Sequence, residues 1–342
     1  MAAWLDTAQD SSGWTLTDTG RLEELVHWMS HPDTQYPALV CFAGNGNRVR
    51  ALRALFPHNN VTRRGPAALM RLHLSTETAG TDHPVLFAEW GIYSSSGFAD
   101  PALYRNSGPK FRQYSVSQRT SGSTADMNLH VISQVVLPWT QILCLFVDSV
   151  SEMRELQRLL DQPPHKIQVG SRSVAVRFKI VIVLTAPQDY ASHELAAAVP
   201  QDQSHDVVAP EITFVDLRDR HELSPMAAFE PLRRVILDKL QSVQVEQRQH
   251  GLLFSAIHLC ALWKSNLESQ MRGLDTTAFD SLRVARKNYS STLNRKACLV
   301  EFLRQAEKTG CDAQDISSFV ASAILIDAYP PGMHCESTHP PT

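Results

Sequence analysis

"VCFAGNGNRVRALRALFP" occupies Val40–Pro57. With the preceding Ala38 and Leu39 it opens as an uninterrupted apolar run to Gly44, the mark of a strand buried on both faces. Gly44 and Gly46 break the run. "RVRALRALF" then resumes with apolar residues three and four apart, the period of an amphipathic helix that Pro57 ends. A strand, a tight glycine turn and a helix together have the layout of a phosphate-binding loop, or of a turn and nothing more. The helix start presents backbone N–H groups and the positive end of the helix dipole.

Outward from this corner the same alternation continues. "PVLFAEWG" (84–91), "QILCLFVDS" (141–149), "FKIVIVLTA" (178–186) and "EITFVDLRD" (211–219) predict further buried strands. "ALMRLHLS" (68–75) alternates apolar and polar residues and predicts an edge or half-buried strand. "LHVISQVVLPW" predicts a helix up to Pro138. "EMRELQRLLD" predicts another, opened by a capping box, Ser149-x-x-Glu152. The polar, glycine- and serine-rich run after Gly91 predicts a long surface loop. Strands alternating with helices predict an α/β fold with a mostly parallel sheet and flanking helices. Such sheets bind ligands at the carboxyl ends of their strands. From Ser224 the pattern becomes helical, with Phe229, Leu232, Ile236, Leu240 and Val243 on one stripe and further helices to Ala328, one of them over 279–288.

These boundaries predict four parts: a peripheral helix and linker at 1–35, the α/β domain at 36–222, an all-α domain at 223–330 and a proline-rich tail at 331–342.

Composition narrows the function. The 342 residues are 43% hydrophobic and 20% charged, as in an ordinary globular protein, and the formal charge of −3 offers no global basic field. No nucleic-acid partner is therefore expected. Arg48, Arg50, Arg53, Arg63 and Arg64 cluster locally, either as a solvated helix face or as cations beside the glycine turn. Met127–Val147 is the longest stretch without formal charge, but its polar residues and Pro138 argue against a membrane span. The Met1 end lacks a basic stretch followed by an apolar one, and the six cysteines form no CxxC pair. A cytoplasmic protein with reduced thiols is expected.

The motifs of nucleotide chemistry are incomplete. A dinucleotide fingerprint lacks its third glycine, since Gly44-Asn45-Gly46-Asn47-Arg48 is followed by Val49, and the first acid after the turn is Glu77. In the pattern G-x-x-x-x-G-K-[ST], lysine reaches the terminal phosphates and the hydroxyl holds magnesium. Here Arg48 stands for the lysine and Val49 for the hydroxyl. No HExxH or zinc-deaminase pattern is present, so no metal ligands and no catalytic residues are assigned.

The order "YPALVCFAGNGN", "TETAG", "PVLFAEWG", "ILCLFVDS", "VIVLTAPQD" and "ILIDAYPPGMH" resembles the GTPase-like region ahead of the lipase domain in large fungal patatin-like phospholipase proteins. The resemblance covers roughly Trp14 to Cys335 and implies a P-loop NTPase-like fold followed by helices. The first motif of that group reads approximately G-x-T-G-x-G-K-S, and Asn47-Arg48-Val49 replaces its Gly-Lys-Ser. Glu89-Trp90-Gly91 is one residue short of Asp-x-x-Gly. Thr185-Ala186-Pro187-Gln188-Asp189 lacks the lysine of [NT]-K-x-D. Thr76 or Thr78 would stand for the switch threonine. No G-x-S-x-G elbow is present, so lipase activity is not implied.

These departures imply a degenerate nucleotide-binding fold, a pseudoenzyme with a regulatory or interaction role. GTP or ATP would be held weakly at Gly44, Asn45, Gly46, Asn47 and Arg48 with poor magnesium dependence. Two alternatives stay open. One is an active NTPase that uses Arg48 and a Glu89-anchored metal. The other is a protein-interaction module that binds no nucleotide and meets a protein partner the sequence does not name.

Overall fold

The computed structural model describes residues 3–11, 13–44, 46–59, 61, 68–90, 111–116, 123–147, 157–159, 166–169, 172–175, 178–185, 211–250, 252–271, 279–280, 284 and 295–328. In chain order the elements are β1 (Ala3–Asp10), β2 (Gly13–Asp18), α1 (Arg21–His27), β3 (Ala38–Gly44), α2 (Asn47–Leu55), β4 (Met70–Leu74) and β5 (Val85–Trp90). Next come β6 (Arg112–Ser115), α3 (Thr124–His130), β7 (Ile142–Val147), β8 (Lys166–Val169), β9 (Arg172–Ala175), β10 (Lys179–Leu184) and β11 (Ile212–Asp216). The chain continues through α4 (Pro225–Gln249), α5 (Ala256–Met271), β12 (Phe279–Asp280), α6 (Arg295–Thr309) and α7 (Ala313–Ala328).

The main sheet runs β11-β10-β7-β3-β5-β4-β1-β2-β6. It is parallel from β11 to β5 and antiparallel from β5 through β4 to β6. The α/β architecture with flanking helices and a helical C-terminal region is as the sequence predicts. β3 lies between β5 and β7, so the chain leaves it first toward one edge and later toward the other. That makes the carboxyl end of β3 the topological switch point, where open α/β sheets hold their ligands.

Alternation along β3 sorts its side chains. Leu39, Cys41 and Ala43 join the core shared with α1, α3 and α5. Val40 and Phe42 join the core under α2 and α4, with Phe87, Phe146, Leu232 and Ile236. Every residue of β3, β5, β7 and β10 is buried, which is why these strands read as apolar runs interrupted only by Glu89 and Lys179. α3 opens with a capping box, Ser123 with Asp126, and passes into a π-helical turn (Val131–Val136) and a 3-10 turn (Leu137–Trp139).

Several sequence expectations change here. The segment 1–35 is not peripheral: β1 and β2 form an antiparallel hairpin within the sheet, and Trp4, Leu5, Trp14, Leu16, Leu22 and Leu25 are buried in its core. The break at 222/223 does not separate two cores, because α4 and α5 cover opposite faces of the same sheet. β4 is an interior strand paired on both sides, not an edge. The loop expected after Gly91 contains β6. Where the helix expected over 279–288 would begin, Phe279–Asp280 pairs with β8 in a small second sheet, β12-β8-β9. α6 and α7 stack Phe302 on Phe319, ring centres 4.9 Å apart. The tail at 331–342 and the capping box at Ser149 lie outside the described residues. Among the described residues no helix is long and apolar enough to cross a membrane.

Candidate functional site

The glycine turn leaves β3 at Gly44, which still pairs with Phe146 of β7. Its φ is 114°, and a Cβ built there would lie 2.2 Å from the Phe146 carbonyl oxygen. Glycine is required twice over, for backbone conformation and for space. Gly46 differs. Its φ of −60° and ψ of −24° suit any residue, and a Cβ there would meet nothing within 4 Å among the described residues. It caps α2 without a side-chain bond, and its carbonyl accepts from the Val49 N–H at 3.2 Å. Asn45 lies outside the described residues.

Three side chains of the first helical turn take separate directions. Asn47 donates from Nδ2 to Thr185 Oγ1 at 2.9 Å, which ties the start of α2 to the end of β10. Arg48 folds back and donates from Nη1 to the Gly44 carbonyl at 2.7 Å. Burial lowers the Arg48 pKa from its ordinary value; the Glu89 carboxylate acts to raise it and Arg71 to lower it further. Val49 packs against the core beneath α2 and α4.

Glu89 lies near the carboxyl end of β5, on the α2 face of the sheet. It is 5% exposed, and Arg71 of β4, its cross-strand partner, donates from Nη1 to Oε1 at 2.9 Å. Glu89 Oε2 is buried and has no hydrogen-bond partner among the described residues. Two positions along β4, His73 stacks on Phe87 with ring centres 4.9 Å apart. Burial and the charges of Arg21 and Arg71 lower its pKa to about 4, so the ring is neutral at pH 7.

The structure brings Gly44, Gly46, Asn47, Arg48, Glu89 and Thr185 to the carboxyl ends of the parallel strands. Thr76 and Thr78 are elsewhere. Thr78 Oγ1 accepts from the Val85 N–H at 2.9 Å, and both Thr76 N–H and Oγ1 reach Asn59 Oδ1. Both threonines therefore sit at the amino end of β5, one strand length or roughly 16 Å from the turn. They are corrected from switch positions to turn residues, since β4 runs antiparallel to β5 and its last residue meets the start of that strand. Gly91 and Asp189 lie outside the described residues. Arg71 and His73 are the site residues that sequence reasoning missed. Their signal was the polar phase of "MRLHL", which reads as a solvent face yet lies on the same face of the sheet as Phe87, with His73 stacked on that ring and Arg71 paired with Glu89.

Among the described residues no three His, Cys, Asp or Glu side chains converge as metal ligands would. A scan against protein-family models matches none, and no curated protein matches the chain.

Proposed function

We propose that this chain is a nucleotide-fold protein that holds a phosphate-type anion at the Gly44 turn and acts by binding and regulation, with little or no hydrolysis. The observation that carries this is Arg48. This cation of the first helical turn lies against the Gly44 carbonyl at the switch point, beside the amino end of α2. The motif order that resembles the GTPase-like region of the fungal proteins points the same way.

The donor set does not fit magnesium of the usual kind. Val49 offers no side-chain oxygen and packs against the core, and Glu89 is paired with Arg71. Phosphoryl transfer relies on metal and cation stabilisation of the developing charge. A chain without that metal anchor keeps the binding part of the fold and loses the chemical part.

Titration with labelled GTP and ATP, with and without magnesium, tests this while released phosphate is followed. Weak binding, insensitive to magnesium and lost in Arg48→Ala, is the expected result. Magnesium-dependent turnover abolished by Arg48→Ala would instead establish an active NTPase. Absence of any binding would leave a protein-interaction module.

A further inference from the structure

Beneath the turn, β4 and β5 set Arg71, His73 and Glu89 on the Phe87 face of the sheet, and Arg48 approaches from α2. Among the described residues of this cluster two guanidinium groups act on one carboxylate, Arg71 through the 2.9 Å ion pair and Arg48 through the field by which Glu89 acts to raise the Arg48 pKa, and His73 is neutral. The amino end of the nine-residue α2 adds a partial positive charge. Beside these cations Glu89 keeps one buried oxygen, Oε2, without a donor among the described residues. Buried polar atoms are nearly always paired, so an orphan acceptor here points to a donor that arrives with a ligand.

An anion with no proton would be drawn to Arg48 and to the start of α2 but repelled by Glu89 Oε2. An oxyanion that carries a hydroxyl meets both demands. Its charged oxygens face the cations and the helix start, and its O–H donates to Oε2. Beside Gly46 a Cβ would touch nothing within 4 Å among the described residues, which leaves room for approach on that side. We infer that the site takes an oxyanion retaining a hydroxyl at neutral pH, with inorganic hydrogen phosphate the simplest case, and that Glu89 selects it over sulfate. This rests on the anion-binding turn proposed above and adds the identity of the anion and the residue that reads it.

Isothermal titration of the full chain with phosphate, arsenate, sulfate and selenate at constant ionic strength and about pH 8 tests it. Phosphate and arsenate keep a hydroxyl under these conditions; sulfate and selenate do not. The protonated pair should bind at least about tenfold more tightly, the smaller end of what a charge-assisted hydrogen bond supplies. A phosphomonoester, which loses its last proton near pH 6, should bind more weakly than inorganic phosphate. Glu89→Gln should bring the four inorganic anions close together, because an amide can also donate. The wild-type ratios decide the matter even if that variant folds poorly. Equal binding of all four anions, or of phosphate and its monoester, would overturn the role of Glu89 and leave an anion site at the turn standing. Selective phosphate binding without GTP binding would uphold Glu89 and remove the nucleotide. Binding of no anion would overturn both.

Discussion

Asp18 and Glu89 are both buried carboxylates of the main sheet, on opposite faces, and they are treated differently. Asp18, at the end of β2, is 1% exposed. Its Oδ1 accepts the Gly20 N–H at 2.9 Å, and its Oδ2 accepts from Trp263 Nε1 at 3.4 Å with Arg112 3.8 Å away. It thereby joins the start of α1, the edge strand β6 and helix α5. Glu89, at 5% exposure, has one oxygen matched to Arg71 and the other left over. Asp18 has both oxygens supplied from the fold. A carboxylate with a spare oxygen beside two cations, at a switch point, is placed for something that comes from outside.

The strongest way to break this contrast is to remove the geometry that sets α2 at the end of β3. Gly44→Ala places a methyl group against the Phe146 carbonyl in a backbone region alanine avoids. The expected result is a loss of more than about 4 kcal/mol, or no folded protein, in urea denaturation. Gly46→Ala is the internal control and should change stability by less than about 0.5 kcal/mol, because its φ is ordinary and its surroundings are open among the described residues. Equal costs at the two glycines would show that the turn is not anchored at the β3–β7 pairing.

The next test separates the two acids by their cations. Arg71→Met leaves the Glu89 charge buried without its partner and should cost roughly 3–4 kcal/mol. Arg112→Met also breaks the 2.7 Å ion pair with Glu23 but leaves Asp18 with its Gly20 and Trp263 donors, and should cost only about 1 kcal/mol. Similar losses in both variants would mean that Glu89 is rescued from within the chain, by Arg48 first of all, and is not waiting for a ligand.

Much of the site was legible because its chemistry is sequential. Gly44 to Val49 are contiguous in sequence, and β3, β5, β7 and β10 announce themselves as apolar runs, broken only by Glu89 in β5 and Lys179 at the start of β10. What escaped depended on pairing across the sheet. β1 and β2 contain few apolar residues, yet "WTLTD" alternates and "DSSG" supplies a turn, the marks of a hairpin half-buried against other strands. By period alone, Arg71 and His73 belong on a solvent face. Only the pairing with β5, which sets His73 against Phe87 and Arg71 against Glu89, makes that face an interior. Thr76 and Thr78 failed for a related reason: residue type suggested a switch, but strand direction, which sequence does not state, put them at the other end of β5.

The smallest expected effect is the most specific to Asp18. Burial raises its pKa from 3.8 to about 6, with Glu23 adding to the rise while the Gly20 N–H, Arg112 and Trp263 oppose it. The folded chain therefore holds this proton more tightly than the unfolded chain does. Its stabilising contribution is complete below the unfolded value and is lost as pH rises through the folded one. Between about pH 4 and pH 7 the wild type should lose roughly 2–3 kcal/mol from this group, because a tenfold difference in proton affinity between the two states is worth about 1.4 kcal/mol. Asp18→Asn removes the titrating proton while its amide oxygen can still accept from Gly20. Its new N–H groups face the Trp263 donor and set its stability at a different level, so the slope with pH is the measurement. Urea midpoints at half-unit intervals across that range should fall steadily for the wild type and stay nearly flat for the variant. Parallel slopes would mean that Asp18 is ionised in the fold like an exposed acid, and the contrast with Glu89 would then rest on hydrogen-bond geometry alone.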